Sequence, residues 1–139
     1  MAGLSFIAMY GLMYAMVDSW GNVYSNLNQA YMAGLMTAPM VVFELLSMGM
    51  MYPNKKTNAA IIGGSIVAGL LFFTAIQRQA GISDKQFLRS MIPHHSGAIL
   101  MCKESSIQDP EIKKLCEQIA ASQAREIAQM KAILQRLDK

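Results

Sequence analysis

At 139 residues, 53% hydrophobic and only 15% charged, the chain has the length of one domain but an uneven spread of charge. Residues 1–76 carry four formal charges, Asp18, Glu44, Lys55 and Lys56, whereas residues 77–139 hold the other ten basic and seven acidic side chains. The net charge of +3 arises in that second part, where both signs are interspersed. With no Arg/Lys cluster, stacking aromatics or Gly-rich phosphate loop, this pattern speaks against nucleic-acid and nucleotide binding.

The first part reads as membrane-embedded, since a spanning helix needs about 20 largely apolar residues. Three segments qualify. The first, Gly3 to about Tyr24, is interrupted near its end by Asp18 and Asn22; it lacks the basic start and small-residue cleavage site of a secretory signal. The second, Tyr31 to Tyr52, is apolar apart from Glu44, and the third, Ala59 to Ile76, carries no charge. Lys55 and Lys56 place the loop between the second and third spans in the cytoplasm by the positive-inside rule. The N-terminus is then cytoplasmic, while the Asn-rich first loop and everything after Ile76 lie outside.

Within the second span, Met32, Met36, Met40, Glu44, Met48 and Met51 recur at steps of three and four and are predicted to share one helix face. Such a face is either a packing surface of adaptable thioethers or a ladder for a soft ion. Glu44 and Asp18 are the intramembrane polar groups, each needing a partner or water. In the third span, Gly64, Ser65, Ala68 and Gly69 have the spacing of close helix contact.

Gln79 to Ile82 forms a short joint, after which Ser83-Asp84-Lys85-Gln86 has capping-box spacing and starts a helix. Phe87, Met91, His94, His95, Ala98, Met101 and Cys102 recur along one face of it, with Pro93 inside the run. Asp109-Pro110-Glu111 starts another helix, Asp109 as cap and Pro110 preorganised in the first turn. Its stripe is Ile112, Leu115, Cys116, Ile119, Gln123, Ile127, Met130 and Leu134. Folded back about Asp109, the two helices set Cys102 opposite Cys116, His95 opposite Gln123 and Met91 opposite Ile127, with Met130 a turn further on. Two helices bury too little apolar surface alone, so a second copy is expected to complete a four-helix bundle.

Met91-Ile92-Pro93-His94-His95 gathers a thioether and two imidazoles within about one helical turn, a donor set suited to Cu(I). Neighbouring residues on a helix point about 100° apart, so both imidazoles reach one ion only through a kink or a second chain. Gln123 and Glu126 read as groups that orient a histidine from the facing helix, Glu126 alternatively as a ligand for a harder ion, or both as polar positions of a solvated surface. Cys102 and Cys116 read as a disulfide across the hairpin, as soft ligands, or as small buried residues. No Glu-x-x-His motif of a di-iron carboxylate bundle occurs, and no nucleophile is paired with a base, so no enzyme is expected.

Taken together, Phe87, Met91 to His95, Ala98-Ile99, Met101, Asp109, Leu115, Ile119, Gln123, Glu126-Ile127 and Met130 resemble the domain of unknown function 305 family. The resemblance implies a ferritin-like helical bundle outside the cytoplasm with copper- or silver-binding relatives, in a membrane-anchored branch. It carries the family's Met/His positions to Met91, His94, His95 and Met130, with Met101 a further candidate. The expectation is an all-α, multi-pass protein of a bacterial inner membrane. Residues 1–78 would form a transmembrane domain of three spans and residues 79–139 a soluble helical hairpin in the periplasm. There, with lipid and a second copy as its partners, it would sequester or hand over copper(I) or a similar soft ion. The alternative is a metal-free membrane scaffold or accessory subunit that mediates oligomerisation.

Overall fold

A computed structural model describes residues 1–49 and 51–139. All regular structure among them is helical: α1 (Ala2–Leu12), α2 (Leu27–Ser47), α3 (Lys55–Gln77), α4 (Asp84–Glu104) and α5 (Pro110–Leu137), with 3₁₀ turns at Met13–Met16 and Trp20–Asn22. They form two compact units. One comprises Met1–Met13 and Leu27–Gly81; the other comprises Tyr14–Asn26 and Ile82–Lys139.

In the first unit, α2 packs on both α1 and α3. Its contact face is made of small residues, Ala33, Gly34, Thr37 and Ala38, all buried. A side chain at Gly34 would meet the Phe72 ring at 2.6 Å, and one at Gly69 would meet the Ala38 Cβ at 3.3 Å. The Thr37 hydroxyl donates to the Ala33 carbonyl at 2.8 Å, which satisfies it without leaving the helix. At the other end of α3, Asn54 caps the helix by accepting the Thr57 N–H at 3.2 Å.

Among the described residues, only α2 and α3 are long and apolar enough to cross a bilayer. The first expected span is corrected: α1 has 11 residues, about 16 Å of helix against a hydrocarbon core of about 30 Å. Apolarity runs on past Leu12, but the backbone tightens into a 3₁₀ turn at Met13–Met16 and leaves helical geometry before Asp18.

The methionine series also differs from the expected single helical face. Because α2 ends at Ser47, Met48 and Met51 lie beyond it. Met32, Met36 and Met40 are exposed, on the side away from the small-residue contact. Their outer parts are open to a partner or to lipid. Glu44 is likewise not mid-span: it sits in the last turn of α2, half-buried, beside an open cleft of about 420 Å³ lined also by Asn54, Thr57 and Asn58.

The joint between the units is short because its backbone turns sharply. Gln79 and Gly81 both have positive φ, 47° and 68°, and the latter suits a residue without a Cβ. The Tyr31 hydroxyl donates to the Ala80 carbonyl at 2.9 Å and the Asn28 amide to Gln79 Oε1 at 3.0 Å. The start of α2 and the end of α3 therefore lie together.

In the second unit, α4 and α5 run antiparallel about a buried cluster of Leu88 and Ile92 from α4 with Ile127, Met130 and Leu134 from α5. Asp109 caps α5, its carboxylate accepting the N–H groups of Glu111 and Ile112 at 2.9 and 3.0 Å. Ser83 precedes α4 as its N-cap but makes no side-chain cap bond, so the expected capping box is not formed there. α4 continues through Pro93. The proline removes the N–H that the Arg89 carbonyl would otherwise accept.

The segment Tyr14–Asn26 departs from the expected division of the chain. Composition assigns it to the membrane part, yet it belongs with the α4/α5 pair. Asp18, expected as an intramembrane polar group in need of a partner, finds that partner in α4: its N–H donates to Ser96 Oγ at 2.8 Å, and the Ser96 hydroxyl donates back to Asp18 Oδ1. Asn22 donates to the same carboxylate at 2.7 Å. The Tyr14 hydroxyl and the Asn26 amide both donate to the Tyr24 carbonyl, at 2.7 and 3.0 Å, closing the strap on itself.

Candidate metal centre on the α4/α5 pair

The register of α4 against α5 follows from the sequence stripes. Cys102 and Cys116 are joined in a disulfide with Cα atoms 5.3 Å apart. That removes them as soft ligands in this state. One layer along, His95 Nδ1 lies 3.1 Å from Glu126 Oε2. A further turn toward the start of α4, Met91 packs against the cluster that contains Met130. Met91 and His95 are four apart on α4, as are Glu126 and Met130 on α5, so each pair shares a face.

The His95 side chain is only 12% exposed. Its Nδ1 approaches Glu126 without the alignment of a hydrogen bond, and no other partner meets it. Glu126 is itself oriented, its Oε1 accepting the Ser122 hydroxyl at 2.7 Å. Glu126, expected to orient a histidine, thus lies beside one imidazole nitrogen of His95 and leaves the other directed elsewhere. Gln123 Oε1 is buried and unpartnered too, an unusual condition for a polar atom.

Two expected ligands are not gathered in. His94 is exposed, its ring centroid 6.1 Å from that of His95 and tilted 58° to it. Met101 is 54% exposed. Among the described residues no three His, Cys, Asp or Glu side chains form a metal-binding group. Any first sphere in one chain would have to draw on thioethers, and the residues present fit a soft ion on that basis: one half-buried imidazole, a carboxylate at its back, and two methionines one turn away.

The strap adds residues that sequence reasoning did not connect to this place. Ser96, directly after His95, is fully buried. A side chain at Gly97 would meet the Met16 carbonyl at 3.3 Å. Burial opposes ionisation of Asp18, but hydrogen bonds from Ser96, Asn22 and the Ser19 backbone, with the charge of Lys131, outweigh it and hold the carboxyl below its usual value. The run of Asn22, Asn26 and Asn28 was the only signal for this loop, since such side chains bond to nearby backbone.

An all-α chain with two long apolar helices and a disulfide-tied helix pair is the class these features define. The chain belongs to the family described as Domain of unknown function (DUF305), which matches residues 13–134. The match takes in both long apolar helices as well as the α4/α5 pair. The uncharacterized protein L153 of Acanthamoeba polyphaga mimivirus is 39% identical over 133 residues, covering 94% of this chain and 86% of that protein. No solved structure matches the chain.

Proposed function

We propose that this is a membrane-anchored protein that binds Cu(I), or another soft ion such as Ag(I), on α4/α5 and sequesters it or hands it on without chemical turnover. The observation that carries the reading is His95: a largely buried imidazole with an unsatisfied Nδ1 beside the Glu126 carboxylate, one turn from Met91 and Met130. Thioether and imidazole together favour Cu(I) over harder ions. A bound ion would be held by Met91, His95 and Met130, with Glu126 and Gln123 behind them. His94 and Met101 face outward and suit an approach path or a second copy completing a four-helix bundle.

In this reading α2 and α3 span the membrane, the Lys55/Lys56 end faces the cytoplasm, and the α4/α5 pair works outside it, as in a membrane-anchored branch of the family. The contacts of Asn28 with Gln79 and Tyr31 with Ala80 hold the start of α2 beside the end of α3, which supports an antiparallel pair of spans. A bacterial inner membrane with a periplasmic domain is one setting for this topology. The metal content of protein purified from copper-supplemented cells tests the reading: wild type should carry copper and His95→Gln should carry little. Equal content in both would remove it.

A metal-free scaffold or accessory subunit is the second reading. It is favoured by the exposed apolar side chains of Phe87, Ile112 and Leu115 on the α4/α5 pair and of Met32, Met36 and Met40 on α2. Its sign would be a defined oligomer that forms equally with and without copper.

A further inference from the structure

We propose that Cys102 and Cys116 form a second, redox-gated metal site, closed as a disulfide and open to one soft ion, Cu(I) foremost, when a dithiol reduces it. This site is separate from the Met/His site and does not depend on it.

Three observations carry the proposal. The bond lies at an open cleft of about 450 Å³, lined by Cys102, Cys116, Lys103, Lys113 and Glu117 among others. A thiolate reductant can therefore reach the sulfurs. Two lysines against one glutamate favour both its approach and the thiolate that leaves.

The second observation is where the apolar cluster sits. Leu88 and Ile92 with Ile127, Met130 and Leu134 hold α4 to α5 independently of the disulfide, with Ile99 packed against them on the disulfide side. Ile92 is ten residues before Cys102, about 15 Å along the helix. Around the disulfide itself Met101, Ile112 and Leu115 are exposed. Opening the bond thus leaves the helix pair assembled and gives the two cysteine side chains room to turn.

Third, the backbone already has the spacing of a clamp. The Cα atoms are 5.3 Å apart. Metal–thiolate bonds of about 2.3 Å place two sulfurs roughly 4 to 4.6 Å apart around one ion. Rotation of the cysteine side chains supplies that separation without moving either helix. Thiolate pairs select soft ions such as Cu(I).

The chemistry balances as ordinary exchange. A thiolate of the dithiol attacks one sulfur, the S–S bond breaks and the other cysteine leaves as thiolate. The reductant's second thiolate then resolves the mixed disulfide, so the dithiol is oxidised by two electrons and both cysteines become thiols after taking up two protons. Binding Cu(I) between them releases those two protons.

The full-length protein in detergent, oxidised or reduced by a dithiol that is then removed without oxygen, is titrated with Cu(I) against a chromogenic chelator. Reduced wild type should bind one equivalent more than oxidised wild type. The extra equivalent should persist in Met91→Leu/His95→Gln, and should vanish in Cys102→Ser/Cys116→Ser and in reduced wild type alkylated before titration. The alkylated sample decides the matter even if the double serine variant fails to fold. No extra equivalent on reduction, its survival after alkylation, or a bond that resists the dithiol while the protein stays folded would each overturn the proposal. Copper binding by the oxidised protein reads the Met/His site alone, so the two sites fail independently.

Discussion

Asp18 and Ser96, 78 positions apart, exchange hydrogen bonds in both directions: the Asp18 N–H donates to Ser96 Oγ at 2.8 Å, and the Ser96 hydroxyl donates to the Asp18 carboxylate. This reciprocal pair fixes the strap of residues 14–26 to α4 at the residue following His95. The histidine's backbone is thereby held from a segment outside the α4/α5 pair.

Ser96→Ala removes a fully buried partner from both groups of Asp18. Hydrogen bonds to a charged group contribute about 1.5–3 kcal/mol, partly recovered here by water at the exposed edge of Asp18, so a loss of about 1–2 kcal/mol is expected. Amide exchange should locate it: the Asp18 N–H should lose protection while those of α5 around Leu134 keep theirs. Ser96→Val should cost more, because no donor or acceptor replaces the hydroxyl and the added methyl groups must fit a fully buried position.

The strap should also loosen in acid. Because the Asp18 carboxyl is held below its ordinary value of 3.8 in the folded protein, its contribution is fully present above that pH and is lost as pH falls through the lower folded value. Asp138, held down chiefly by its hydrogen bond with Lys85, adds a term of the same sign at the end of α5. Measured stability should therefore drop below about pH 4, and Asp18→Asn should flatten the part of that drop that accompanies strap exchange. An unchanged acid limb in Asp18→Asn would show that the carboxylate is not what the acid releases.

In the first unit, Gly34 and Phe72 form a tight contact whose partner ring also leans on Tyr31, with centroids 6.5 Å apart. Gly34→Ala puts a methyl group into the ring and should cost about 1–3 kcal/mol through overpacking. Phe72→Leu should relieve that cost, so the double variant is more stable than the two single losses added together. Additive losses in a double-mutant cycle would mean the contact is not made.

If α2 and α3 cross the membrane, Trp20 in the strap and Lys139 at the end of α5 lie on one side and Lys56 on the other. Cysteines introduced singly at these positions should divide accordingly toward a membrane-impermeant maleimide in intact cells. Trp20→Cys and Lys139→Cys should react directly, Lys56→Cys only after permeabilisation. Opposite accessibility of Trp20→Cys and Lys139→Cys would contradict the pairing of the strap with α4/α5.

The two C-terminal helices were legible because local chemistry and periodicity agreed. Asp109-Pro110 supplies both a cap and a preorganised first turn, and the stripes of α4 and α5 are continuous enough to set Cys102 against Cys116. The third apolar segment was equally clear, being long and uncharged. What failed was the inference from apolarity to span at the N-terminus, since hydropathy counts side chains and is blind to the backbone tightening at Met13–Met16. The strap was illegible for a different reason. Its decisive contact joins Asp18 to Ser96 across two intervening long helices, and neither residue belongs to a periodic pattern. Within the site, helical spacing set Met91 and His95 on one face of α4 opposite the later turns of α5, where the structure packs Met91 against the cluster of Met130 and brings His95 to Glu126. His94 and Met101, given the same face by that spacing, are exposed.

On the proposed function, Met91, His95 and Met130 bind a soft ion while His94 and Met101 do not complete the site within one chain. Cu(I) affinity of the oxidised, full-length protein measures this most directly. Leucine keeps methionine's volume and removes its sulfur, so Met91→Leu and Met130→Leu should each weaken Cu(I) binding at least tenfold, and His95→Gln further, with Met101→Leu close to wild type. Affinities that are the same across all of these variants, or a loss confined to Met101→Leu, would contradict it.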